Sequence, residues 1–169
     1  MSAAVLAPLR IEAWAVRGRR VGMGARDAEL GDGPVVIAGL CGAVDPSLEP
    51  GDLVVASEVR GDGAAIACAT DLAAVLGARV GPITSVDRVA GPAVKRALRS
   101  SGALAVDMES YWLARAAAGR PVMVVRAVAD RVDGRVLDPR IVPAGIRGLL
   151  SLRRASHVLK AWAPVESRP

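Results

Sequence analysis

The sequence predicts an α/β fold: one domain over residues 1–169, with a central mixed or largely parallel sheet flanked by helices. Three observations carry this. Short apolar runs rich in β-branched residues alternate with helix-compatible segments to the end of the chain. Residues 121–128 make a β-branched, unbroken run, the signature of a central strand buried on both faces. Two apolar runs also end in acids, Asp107 and Glu109 after the first and Asp130 after the second. Two strand ends thus present carboxylates at one edge of a sheet, where water, a cation or a ligand must satisfy them.

In chain order, residues 5–7 form a short strand, and residues 8–16 begin a helix or turn. Residues 20–23 make a short strand ending in Gly22-Met23-Gly24. Residues 35–40 are a continuous apolar run bounded by Gly33-Pro34 and Gly39, which predicts a buried strand. Loop 42–51 carries the turn signals Asp45-Pro46 and Glu49-Pro50-Gly51, and 53–59 is the next strand. Residues 64–77 are apolar and alanine-rich, which favours helix. A strand at 80–86 precedes a helix at 92–99 with proline at an early position, then a strand at 103–106. Helix 109–118 is closed by Gly119 in left-handed geometry. Beyond the strand at 121–128 lies a polar loop, 131–140, and residues 142–162 place Ile146, Leu149, Leu150 and Trp162 at helical spacing. In such sheets ligands collect at the carboxyl ends of strands. Gly22-Met23-Gly24, residues 39–42, residues 107–109 and Asp130 all fall there.

Composition narrows the function classes. At 52% hydrophobic, the chain is not a disordered segment. A net charge of +5 raises the question of nucleic acid, but the arginines are scattered apart from short runs at 17–20 and 153–154. No aromatic residues are interleaved among them for base stacking, so the charge does not make a nucleic-acid surface. Cys41 and Cys68 lack CxxC spacing and the single histidine is His157, which argues against a zinc site. Unpaired thiols fit a reducing cytosol. The apolar start lacks a basic n-region, and no run is long enough to span a bilayer. The expectation is a soluble cytoplasmic protein acting on a small molecule, with no metal or redox cofactor.

Several motifs have two readings. Gly22-Met23-Gly24-Ala25-Arg26 either lets backbone amides approach an anion or is a tight strand-to-helix turn. Gly39-Leu40-Cys41-Gly42 either admits a planar ring against the backbone or is a plain turn. Glu12 reads as a solvated first-turn acid favoured by the helix dipole, with Arg10 beside it. Glu109 has a capping alternative at the start of its helix. Asp130 closes a β-branched run and either caps the next turn or acts on a ligand. His157 reads as packed or solvated, and Trp14, Trp112 and Trp162 as core or interface residues.

Taken together, these segments resemble the nucleoside phosphorylase superfamily, specifically the 5′-methylthioadenosine/S-adenosylhomocysteine nucleosidase branch. Residues 39–55, from Gly39-Leu40-Cys41-Gly42 through Pro46-Ser47-Leu48-Glu49-Pro50-Gly51-Asp52 to Val55, are similar to its glycine-rich purine-site strand and following segment. Ala105-Val106-Asp107-Met108-Glu109-Ser110 is similar to its ribose-site motif, and Val125-Arg126-Ala127-Val128-Ala129-Asp130 to the segment whose aspartate meets the purine. The resemblance implies a nucleoside phosphorylase-like three-layer sandwich that assembles as a homodimer.

The resemblance also implies roles. Asp130 protonates N7 of the purine and Glu109 accepts hydrogen bonds from the ribose hydroxyls. Met108 packs on the sugar, Val89 and Ala90 occupy the base-stacking stretch, and Leu40, Cys41 and Gly42 line the purine site. Glu12 activates the attacking water. Residues 85–98 together with Val106-Asp107-Met108-Glu109-Ser110 are most similar to the hopanoid-associated group, which removes adenine from adenosylhopane. The implied reaction is hydrolysis of a 5′-substituted adenosine. Phosphorolysis, with phosphate as co-substrate and Arg10, Gly24 and Arg26 as anion-binding residues, is one alternative; a non-catalytic nucleoside-binding protein is another. The sequence departs from the family at Val89, where an aromatic usually stacks on adenine, and at Ala129, where a serine usually adjoins the aspartate. The segments at 25–33 and after Val59 are also shorter than the family's.

Overall fold

The strand Val35–Ala43 (β3) organises the sheet, because its two halves have different neighbours. The computed structural model describes residues 3–22, 33–117, 119–131 and 141–164. The first half of β3 lies between Ala4–Ala7 (β1) and Val122–Asp130 (β8) and runs parallel to both. Its last two residues, Gly42 and Ala43, pair instead with Ala105–Asp107 (β7), antiparallel. A register shift against β8 between Cys41 and Gly42 marks the bend.

From β7 the sheet continues through Arg79–Ser85 (β6) to Leu53–Arg60 (β4), with parallel pairing at both steps. β4 pairs antiparallel with β8, so the path returns to β3 and the middle of the sheet rolls into a ring. Two-residue strands extend the edges, Arg19–Arg20 (β2) beside β1 and Ile66–Ala67 (β5) beside β4. This is the expected mixed sheet flanked by helices.

The period of two in a strand sends alternate residues of β3, β4 and β8 to opposite faces. On one face Val35, Ile37, Val54, Val122 and Val124 pack against Trp112 and Leu113 of Ser110–Ala116 (α4). On the other, Val36, Ala38, Val55, Met123 and Val125 pack against Val16 of Arg10–Val16 (α1). Leu152, Ala155 and Leu159 of Ile141–Ala161 (α5) complete that second face. β8 is therefore buried on both sides, as its composition predicted.

The structure corrects several boundaries. The alanine-rich stretch 64–77 is not one helix: Ile66–Ala67 forms β5, and only Ala73–Leu76 (α2) is helical. Propensity differences of a few tenths of a kcal/mol per residue lose here to the hydrogen bonds β5 makes with Glu58 and Val59 at the open edge of β4. The turn into β5 is seated on Tyr111, whose ring a Cβ at Gly61 would overlap. The strand expected at 20–23 is shorter and earlier, at Arg19–Arg20. β3 runs three residues beyond the expected 40, because Gly42 and Ala43 change partners without leaving the ladder. α4 begins at Ser110 and ends at Ala116, with Gly119 left-handed at φ 75°. Met23 and residues 132–140 of the expected loop lie outside the described residues.

Among the described residues, no helix is long and apolar enough to cross a membrane. Of the three tryptophans, Trp112 and Trp162 are buried, whereas Trp14 is 64% exposed with the Arg153 guanidinium 4.8 Å above its ring. Trp162 fixes the end of α5, since its indole Nε1 donates to Asp71 Oδ2 at 2.8 Å. Trp162→Ala removes that packing and that hydrogen bond together. It is expected to cost about 3–5 kcal/mol of stability, measured by urea unfolding.

Candidate functional site

β1 is in register with β3 only as far as Ile37, and β7 joins only at Gly42. Between them, side chains serve the backbone of β3. Glu12 Oε1 accepts the Leu40 N–H at 2.8 Å, and Arg126 Nη1 donates to the Leu40 carbonyl at 3.4 Å. Glu12 Oε2 also accepts the Leu9 N–H at 2.7 Å, capping α1 from its third residue. The first-turn position is as expected, but Glu12 is buried rather than solvated.

Arg126 projects from the middle of β8 and is fully buried. Its Nε lies 2.7 Å from Asp107 Oδ2 and donates to Ser110 Oγ at 2.9 Å. Nη2 lies 3.7 Å from Glu109 Oε2 and makes no hydrogen bond among the described residues. Burial works against the guanidinium's charge, but Asp107, Glu109 and Glu12 around it outweigh that and push its pKa up. Asp107 also accepts hydroxyl donations from Ser85 and Ser110 and the backbone N–H groups of Glu109 and Ser110. It is thus committed to holding β6, β7 and α4 together.

Glu109 stands at the N-cap of α4 without a side-chain cap bond, so the capping alternative does not describe it. Burial pushes its carboxyl up from the ordinary value; Arg126 opposes this, and Asp107 and Glu12 add to it. Asp130 ends β8, where its Oδ1 accepts from Lys95 Nζ at 2.7 Å and from the Ala43 N–H at 3.2 Å. Lys95, on Pro92–Ser100 (α3), also donates to the Arg131 carbonyl at 3.0 Å.

A cavity of about 340 Å³ opens over this framework, within the range of small-molecule sites. It is lined by Glu12, Leu40, Cys41, Gly42, Val89, Ala90, Met108, Glu109 and Asp130, all singled out from the sequence. The structure does not bring Arg10 there: it is exposed at the first residue of α1, outside the lining. Gly24 and Arg26 lie outside the described residues. His157 is exposed. The Cys41 thiol is pushed far up by burial, so it serves as an apolar wall rather than a nucleophile. Among the described residues no His, Cys, Asp or Glu cluster could hold a metal ion.

Sequence reasoning passed over Lys95 and gave Arg126 no role of its own. Both left a signal. Arg126 is the one charge inside an otherwise apolar run, and Lys95 is one of only two lysines in a chain that otherwise uses arginine.

No family model matches the sequence, and no curated protein matches it. Solved structures do match. A Helicobacter pylori methylthioadenosine nucleosidase mutant, with 5′-methylthioadenosine in its active site, is 17% identical with a TM-score of 0.79. The match covers 92% of this chain and 96% of that one. The S-adenosylhomocysteine nucleosidase of Streptococcus pyogenes, in complex with 5-methylthiotubericidin, is 22% identical with a TM-score of 0.67, over 89% and 95% of the chains. The fold is that of these nucleosidases. Helicobacter pylori futalosine hydrolase is also similar, at 18% identity and a TM-score of 0.73 over 93% and 94%.

Two outcomes test the framework that this nucleosidase fold builds around Arg126. A Cβ at Gly39 would overlap Arg126 Nη1 and come within 3.0 Å of Glu12 Oε1. Gly39→Ala is therefore expected to lose about 1–3 kcal/mol, read from thermal and denaturant unfolding. Glu109 gives a pH signature. Its folded-state pKa is raised, so between the unfolded and folded values the native state carries more protons, and stability falls as pH rises. Above the folded value the loss is complete. Glu109→Gln should flatten this decline and leave the protein more stable than wild type at neutral pH, measured by urea unfolding across a pH series.

Proposed function

We propose that this protein hydrolyses the N-ribosyl bond of a 5′-substituted adenosine and releases adenine. The observation that supports this best is the convergence of Glu12, Glu109 and Asp130, from opposite ends of the chain, on one cavity in a nucleosidase fold. Cleavage of such a bond passes through an oxocarbenium-like sugar, which needs a protonated leaving group and an oriented water. Asp130 donates the proton to N7 of the purine through Oδ2, because its described hydrogen bonds both end on Oδ1. Glu12 orients the water and takes its proton, since each of its oxygens accepts one backbone N–H and retains a second acceptor site.

Glu109 accepts the ribose hydroxyls. Its buried carboxylate has Arg126 only at 3.7 Å, so hydroxyl donors would offset its desolvation. Met108 packs on the sugar, and Leu40, Cys41, Gly42, Val89 and Ala90 enclose the base. The walls beyond these groups, Pro8, Leu9 and Val86, are apolar. They suit a thioether or hydrocarbon 5′ substituent, and Val89, 60% exposed, leaves room for a bulky one such as the hopane of adenosylhopane. Phosphorolysis has less support because Arg10 stands outside the lining. As in the family that the sequence resembles, the protein is proposed to work as a cytoplasmic homodimer. The exposed apolar side chains Val142, Ile146 and Leu150 along α5 offer a face for the second copy.

The test is direct. Purified protein incubated with adenosylhopane, 5′-methylthioadenosine or S-adenosylhomocysteine should release free adenine without added phosphate. A folded protein that releases none from any of them overturns the reading, and strict phosphate dependence reassigns the reaction to phosphorolysis. Asp130→Asn is expected to lower kcat about 10²–10⁴-fold, and Glu12→Gln to act in the same direction, both followed by the adenine assay.

A further inference from the structure

We infer that Lys95 is the positioning residue for the proton donor Asp130, an inference that rests on the nucleosidase reading above. Lys95 reaches the site from α3 and is 1% exposed, yet it is charged in a wall otherwise built of Val86, Val89, Ala90 and Val106. A buried ammonium carries a large desolvation penalty, and a single ion pair to a carboxylate that keeps some exposure does not fully recover it. A methionine would fill the same space without that cost. The charge therefore calls for an explanation beyond packing.

The local geometry supplies one. Lys95 Nζ donates to Asp130 Oδ1 at 2.7 Å and to the Arg131 carbonyl at 3.0 Å, so it grips the carboxylate and the backbone that carries it. The Ala43 N–H holds the same Oδ1. Gly42 makes the approach possible: a Cβ there would lie 2.7 Å from Asp130 Oδ1 and 3.1 Å from Lys95 Cε and Nζ. Two elements, α3 and β3, thus pin one oxygen of Asp130 at the end of β8 and leave the other for the ligand.

The chemistry uses the charge as well as the position. Asp130 takes a proton from solvent and gives it to N7, the glycosidic electron pair moves into the purine, and a carboxylate remains. The Lys95 ammonium sits against that developing negative charge without reorganising. Water adds to the sugar cation and loses its proton to Glu12, which completes the hydrolysis.

The experiment is a double-mutant cycle on adenine release, using 5′-methylthioadenosine, S-adenosylhomocysteine or adenosylhopane, whichever the wild type cleaves. Lys95→Met is expected to lower kcat about 100-fold, the loss typical of a misplaced reacting group, with KM nearly unchanged. In the Asp130→Asn background the same substitution should cost nothing further, because a residue acting only through Asp130 has nothing left to position. Lys95→Gln replaces Lys95→Met in the cycle if the methionine variant does not fold, as judged by circular dichroism. Full kcat in the single variant, or losses that multiply in the double variant, would assign Lys95 a structural role and overturn the inference alone. A wild type that releases no adenine overturns the nucleosidase reading, and this inference with it.

Discussion

The site depends on one buried guanidinium. Arg126 occupies a position in β8 that its neighbours fill with Val and Ala, and its charge is tolerable only because acids surround it. Asp107 supplies the contact at 2.7 Å, Ser110 an acceptor at 2.9 Å, and Glu109 and Glu12 the remaining field. The partners come from two distant parts of the chain, residues 107–110 and Glu12, and Arg126 also bonds the Leu40 carbonyl of β3. Satisfying Arg126 therefore brings β7, the start of α4, α1 and β3 to one place, and the acids that line the cavity are positioned by the same requirement.

The second constraint is the change of partners along β3. A strand that left β1 before reaching β7 would expose backbone groups in the core, which is costly unless something else bonds them. Glu12 and Arg126 take up the N–H and carbonyl of Leu40. The gap in the ladder is thereby both closed and made chemically useful, since Glu12, one of the two side chains that repair it, lines the cavity. Gly39 and Gly42 allow this because a Cβ at either would collide with the charged groups packed over them.

The acids at the strand ends were legible because an unpaired carboxylate closing an apolar run has few structural reasons to be there. Asp107, Glu109 and Asp130 stood out for that reason, and Asp107 proved to be the structural one because four donors and a cation engage it. Lys95 was legible only as a compositional oddity, one of two lysines in an arginine-rich chain, and its partner was not. On its helix it looks like an ordinary polar residue, and nothing local to α3 indicates that the turn carrying it faces the end of β8. The stretch 64–77 misled for a related reason. Alanine content states a weak local preference, whereas the open edge of β4 states a stronger tertiary one.

What the amino-acid sequence determined by itself was whatever repeats at short range or sits at a chain-order boundary. That includes the order of strands and helices, the doubly buried β8, and the acids and glycines at strand ends. Tertiary structure alone decided which of those ends meet. Glu12 and Asp130 are separated by most of the chain, and β3 brings them to one cavity, since Glu12 bonds its Leu40 and β8 pairs with it as far as Asp130. It also decided the charges: a carboxylate's burial and its partners are properties of the assembled core, and no local pattern contains them.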